Sequence, residues 1–170
     1  MIVASVGTVV GIVVGVLIVL LIVFFIGGYI ATSRRREAQD AQLRARLEAA
    51  DAALAEATKR GWPVMCIAVV SPSGDLVYFV KMDDCQYGSI AIAQHKARAA
   101  ATFRRPTLVF ERLLGRGQFF SYLATLDGVI ASRGGNPIVV NGKIIGAIGV
   151  SGGTGTQDEV VSLAGAATAK

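Results

Sequence analysis

With 170 residues, the chain has room for about one ordinary domain and an accessory segment. A formal charge of +5 often signals nucleic acid, but no RNA- or DNA-binding motif is present, and much of the excess sits in the cluster Arg34, Arg35 and Arg36. A single histidine excludes a multi-histidine metal site.

No Asp, Glu, Lys or Arg precedes Arg34, and Ile2 to Ile30 is almost wholly Val, Ile, Leu, Phe and Gly. At about 1.5 Å of rise per residue, a helix of this length exceeds the roughly 30 Å hydrocarbon core of a bilayer. Residues 1–33 therefore read as a transmembrane anchor, with the lipid bilayer as partner. A cleavable signal peptide competes, with Gly27, Gly28 and Ala31 as a conceivable cleavage site, but the basic n-region is missing and the apolar core is too long. The arginines follow the span directly, so the positive-inside rule expects a single-pass protein whose soluble domain is cytoplasmic. Gly7, Gly11 and Gly15 recur every fourth residue and would let a second helix approach one face.

Residues 34–61 form the next segment. Leu43, Leu47, Ala50, Leu54 and Ala57 follow a 4-3-4-3 spacing, which makes an apolar stripe on a charged helix ended by Gly61 and Pro63. The stripe has two uses open to it: packing on the domain's own sheet, or packing on a partner helix.

Residues 62–170 read as the main domain. Val64 to Ser71 and Leu76 to Met82 flank the turn Pro72-Ser73-Gly74-Asp75 and predict a β-hairpin. Ser89 to Phe103 predicts a helix with Ser89 as its N-cap, and Thr107 to Leu114 predicts a shorter one. Phe119 to Leu126 has a helical pattern. Asn141-Gly142 between Pro137–Val140 and Lys143–Val150 predicts a second hairpin. Thr156 to Ala169 predicts a closing helix, with Thr156 and Glu159 spaced as a capping box. Two hairpins among helices, without βαβ alternation, argue for an α+β domain with an antiparallel sheet.

The stretch Gly152-Gly153-Thr154-Gly155-Thr156 resembles a nucleotide loop only in its glycine content. A P-loop lysine is missing, and Asp158 occupies the place where a dinucleotide fingerprint requires its last glycine. Asp158 and Glu159 would also repel an anion at the helix start.

His95 is the candidate iron ligand, since neutral imidazole suits iron. Arg104 and Arg105 offer planar forks suited to carboxylates such as propionates. Thr107 and Met82 are weaker candidates for iron contact. Cys66 and Cys85 form no C-x-x-C; in a cytosolic domain a structural disulfide is not expected, which leaves Cys66 as a buried apolar residue and Cys85 as an ordinary thiol. No catalytic pair of carboxylates is marked, and no nucleophile with an adjacent base stands out.

From about Leu47 to Ala169 the chain resembles the GlcG/HbpS-like haem-degrading (haem-binding) domain family. The segments that carry the resemblance are VMCIAVVSPSGDLVYFVKMDD, SIAIAQHKARAAATFRRPT and LDGVIASRGGNPIVVNGKIIGAIGVSGGTGTQDEVVSLAGAA, in that order. It implies a profilin-like layered α+β domain, homo-oligomers, and for some relatives haem or iron binding with slow haem breakdown. Its implied cofactor is haem, and the residues singled out above, His95 at the metal with Arg104, Arg105 and Thr107, are this chain's candidates to hold it. The alternative is a non-catalytic structural or assembly subunit that uses the domain for oligomerisation or docking in a membrane protein complex.

Overall fold

The computed structural model describes residues 6–168. The expected anchor's first residues, through Ser5, and Ala169 of the closing helix lie outside that range. By contacts the chain divides into two units, 1–41 and 42–170.

The described residues of the first unit, 6–41, are helical and belong to α1 (Val6–Lys59), whose residues 42–59 belong to the second. Among the described residues, α1 is the one helix long and apolar enough to cross a membrane, with a mean hydropathy of 3.0 over its most apolar window. Side chains such as Val23, Phe24, Phe25 and Tyr29 are exposed along it. Gly11 and Gly15 face open space.

The second unit is an α+β domain around a four-stranded antiparallel sheet, as expected. Strands β1 (Cys66–Val70), β2 (Leu76–Lys81), β3 (Gly135–Val140) and β4 (Lys143–Ser151) lie in the order β2-β1-β4-β3. Both expected hairpins form: β1 with β2, turning at Gly74 (φ 93°), and β3 with β4, turning at Asn141 (φ 49°) and Gly142 (φ 74°). Positive φ at both central residues is what a tight hairpin turn demands, and Asn-Gly supplies it with little strain.

Alternation on β1 separates two cores. Met65, Ile67 and Val69 join Ile138, Ile148, Val150 and Val161 beneath the C-terminal part of α1 and α4 (Gly155–Ala166). Cys66, Ala68 and Val70 join Ala147 beneath Ala93, Ala97 and Ala100 of α2 (Gly88–Thr102). The domain is therefore layered helix, sheet, helix. Alanine lets α2 lie close on the sheet, and Gly149 completes the fit: a Cβ there would stand 2.1 Å from the Ala93 carbonyl oxygen. Between α2 and β3 in chain order come α3 (Leu108–Leu114) and a 3-10 helix (Gln118–Thr125).

Several local expectations are corrected. Of the expected stripe, Ala50 and Ala57 are buried with Ala49 and Ala53 and Leu54 packs against the same core, while Leu43 and Leu47 are exposed. Small residues win because α4 crosses at close range: a Cβ on Gly165 would stand 2.5 Å from the Ala49 carbonyl oxygen. Ser89 does not cap α2. The helix starts one residue earlier, and Ser89 is buried, accepting from Gln86 and Ser151. The capping box of α4 is Thr154 with Gln157, not Thr156 with Glu159, because Glu159 is engaged elsewhere.

The expectation of two free thiols is also overturned. Cys66 and Cys85 are joined in a disulfide, with Cα atoms 6.1 Å apart. The expectation rested on a presumed cytosolic setting rather than on geometry. Residue 66 opens β1, one of the two inner strands, and the β1–β2 hairpin brings the chain back beside it at 85.

Candidate functional site

Helix α2 carries most of the chemistry. Its buried face holds Ala93, Ala97 and Ala100 against β1 and β4, which turns His95, Arg98 and Thr102 toward the opposite side. There, Ala91, His95, Arg98, Thr102, Asp127 and Gly128 line an open cleft of about 480 Å³. His95 is half-buried, whereas Arg98 and Asp127 are exposed. Long bonds hold Arg98 loosely: its Nε lies 3.4 Å from the Gly74 carbonyl oxygen, and its Nη2 donates to Gln94 Oε1 at 3.4 Å. Most of its five donors stay available to a carboxylate.

A smaller cleft of about 180 Å³ adjoins at Thr102, which lines both, and is completed by Pro72, Ala101, Arg104 and Ile144. Arg104 sits just past the end of α2 at φ 56°, a left-handed backbone conformation that is uncommon outside glycine.

The remaining expected site residues lie elsewhere. Arg105 is exposed and donates from Nε to the Phe103 carbonyl at 3.1 Å. Thr107 is fully buried: its Oγ1 accepts from the Gly135 N–H at 2.9 Å, and its own N–H donates to the Gly135 carbonyl at 2.9 Å. Its hydroxyl fastens β3 to the end of the α2–α3 connection. Met82 packs at the edge of the core beneath α1 and α4.

Sequence reasoning missed a polar cluster around the end of β4. Lys96 is 1% exposed; its Nζ donates to Asp158 Oδ2 at 2.8 Å and to the Val150 carbonyl at 3.0 Å. Asp158 Oδ1 accepts from the Gly153 N–H at 3.1 Å. Burial pushes the Asp158 carboxyl above its ordinary range, opposed by Lys96 and Gly153. Helical phase held the signal: Lys96 stands at the spacing of Ala93, Ala97 and Ala100, and so on the buried face.

Nearby, Glu159 Oε2 accepts from the Gly134 N–H at 2.7 Å. Glu111 accepts from Arg133 Nε at 2.8 Å and from the Arg133 backbone N–H at 2.7 Å. Hydrogen bonds from the Arg133 side chain hold Glu111 below the usual carboxylate range and raise Arg133 in turn. The glycine stretch is therefore a structural clasp: its helix's acidic residues bind the protein's own amides and lysine.

Among the described residues, no group of three or more His, Cys, Asp and Glu side chains could hold a metal ion. An iron atom at His95 would need its other ligands from a macrocycle.

Comparison with known proteins follows the same lines. A model of the family described as "Haem degrading protein HbpS-like" matches residues 42–167. Protein GlcG of Escherichia coli (strain K12) is 44% identical over 96 residues, covering 56% of this chain and 69% of GlcG. A crystal structure of a double mutant of HbpS from Streptomyces reticuli superposes with a TM-score of 0.66 at 31% identity, covering 74% of this chain and 84% of that one. A PduOC:heme complex superposes equally well, at 0.66 over 74% of this chain and 91% of its own, but at 22% identity that likeness speaks for the fold alone.

Proposed function

Because the chain belongs to the HbpS-like haem degrading protein family, we propose that it is a membrane-anchored protein that binds haem at the cleft along α2, in haem sensing, storage or slow turnover. The observation that carries this reading is the convergence of one imidazole and two arginines on adjoining clefts: His95 and Arg98 in the larger, Arg104 in the smaller. The donor set suits the group. Imidazole is an axial ligand type for haem iron, and guanidinium forks match propionate carboxylates. When bound, haem would supply the iron and the conjugated ring. His95 would hold the metal side, Arg98 and Arg104 would fix the carboxylate edge, and Ala91 and Gly128 would offer low walls to the ring. Thr107 has no part in this proposal, because its hydroxyl is committed to Gly135.

The test is a haemin titration of the full chain in detergent, with His95→Ala in the same micelles as reference. Saturable binding with a Soret band that shifts in the variant supports the reading. Spectra that superimpose would sink His95 as ligand.

A second reading has its own observation. Leu43 and Leu47 remain exposed on the soluble unit's helix, where a second copy or a neighbouring membrane subunit could cover them. In that reading the domain serves as an oligomerisation or assembly module. Native mass spectrometry of the detergent-extracted protein separates the two: a lone haem-loaded monomer defeats assembly, and a haem-free oligomer defeats haem binding.

A further inference from the structure

The disulfide bears on which face of the membrane the domain occupies. Cys66 and Cys85 are the chain's only cysteines, and the fold brings both to bonding position. Each is held there independently of the bond. Cys66 is fixed by ladders on both sides, opposite Lys81 of β2 and Ser151 of β4. Cys85 donates its N–H to the Met82 carbonyl at 3.0 Å as the chain turns toward α2. Their exposures are 0% and 4%, inside the alanine-rich core beneath α2. A cystine so placed is out of reach of small thiol reductants once formed, and has the position of a structural bond rather than a labile surface one.

Such a bond is made during folding, by an oxidant. Glutathione and thioredoxin keep cytosolic thiols reduced, so structural disulfides belong to oxidising compartments. We infer that the domain folds on the oxidising, extracytoplasmic face of the membrane, and that the Cys66–Cys85 bond is introduced there by a disulfide-bearing oxidant. In the exchange, one cysteine thiolate attacks the oxidant's S–S bond and displaces one of its sulfurs as thiolate. The second cysteine then attacks the mixed disulfide and releases the other. Two protein thiols become one disulfide, and two electrons and two protons pass to the oxidant, which leaves as a dithiol.

This orientation opposes the positive-inside bias of Arg34, Arg35 and Arg36. The two indicators differ in kind. Flanking charge biases how a span inserts, whereas a buried disulfide requires that the folding domain met an oxidant. A flank of arginines is also compatible with anionic headgroups, to which basic juxtamembrane residues are drawn.

The experiment uses the full chain in the membranes of producing cells. Cells are quenched in acid, denatured, and treated with a polyethylene-glycol maleimide before or after reduction. In parallel, intact cells with the outer face of the membrane made accessible are exposed to protease. The expected result is no mass shift without reductant, two additions after it, a single addition for Cys66→Ala under either condition, and digestion of residues 42–170 from outside. Two additions without prior reduction would overturn the disulfide. A domain protected until the membrane is lysed would overturn the orientation.

Discussion

Removing Lys96 tests the buried cluster at the end of β4 most directly. In Lys96→Met the apolar volume is roughly kept, but Asp158, 3% exposed, loses its cation and retains only the Gly153 N–H at 3.1 Å. The carboxylate must then stay charged in the interior or take up a proton at neutral pH. Each pKa unit by which it is forced upward is worth about 1.4 kcal/mol. Breaking a buried pair from one side costs about 3–5 kcal/mol, a large share of the roughly 5–15 kcal/mol that holds an ordinary domain folded. At about 4 °C per kcal/mol for a domain of this size, the midpoint should fall by about 12–20 °C.

Trp62, the only tryptophan, packs against the core beneath α1 and reports unfolding by fluorescence in detergent without interference from the apolar helix. The pH dependence has a definite sign. Folded Asp158 holds its proton to higher pH than the unfolded chain does, and losing Lys96 removes a group that opposes that shift, so the deficit of the variant grows as pH rises through the parent's folded value, which lies above the ordinary Asp value of about 3.9. The double variant Lys96→Met/Asp158→Asn should recover much of the loss, since no lone charge remains. A single variant within about 1 kcal/mol of the parent, with no pH trend, would refute the reasoning.

Other perturbations address the remaining elements. Gly149→Ala puts a Cβ against the Ala93 carbonyl and should cost about 3 kcal/mol or more, read as a lower urea midpoint of Trp62 fluorescence. Removing the Cys66–Cys85 bond, which spans a sequence separation of 19, should lower stability by about 3 kcal/mol, measured by comparing the midpoints of the parent and Cys66→Ala/Cys85→Ala. The folded Glu111 carboxyl lies below its unfolded value, so the stability it contributes is present above the ordinary Glu range near pH ~4.3 and is lost as pH falls through the folded value. Glu111→Gln should flatten that acid limb of the unfolding curve. Leu43→Gln/Leu47→Gln should shift the native mass spectrum toward monomer if the exposed face of α1 is covered by a second copy.

The sheet was legible because its signals are local. Asn141-Gly142 demands a tight hairpin whatever surrounds it, and Pro72 to Asp75 nearly does. What the sequence concealed was set by close approach between distant segments. Of the stripe Leu43, Leu47, Ala50, Leu54 and Ala57, Ala50 and Ala57 are buried and Leu54 packs against the core, but Leu43 and Leu47 stay exposed and Ala49 and Ala53 join the buried face, because small residues fit where α4 crosses at Gly165. Thr156 and Glu159 have capping-box spacing, but Glu159 is drawn to Gly134, 25 residues away in sequence, and Thr154 and Gln157 take the cap. The candidate site divided similarly. His95 could be chosen as the only imidazole, whereas its neighbours Asp127 and Gly128 come from another part of the chain and carry no mark of that proximity.

Polar bookkeeping in the interior explains why the search for a ligand ends at the surface of α2. Among the described residues, every buried side-chain nitrogen or oxygen has a hydrogen-bond partner, and the partners are the protein's own. Lys96, Asp158, Thr107, Asn136 and Ser162 are spent on fastening α2, β3, β4 and α4 to one another. A ligand drawing on any of them would have to break the clasp that holds the sheet between its helices. His95, Arg104 and Asp127 carry no such duty, and Arg98 only its long bonds to Gly74 and Gln94, so substitutions at His95, Arg104 and Asp127 should change ligand binding while leaving the stability read from Trp62 within about 0.5 kcal/mol of the parent. Loss of stability at His95→Ala comparable to that at Lys96→Met would mean that α2 has no side free for a ligand.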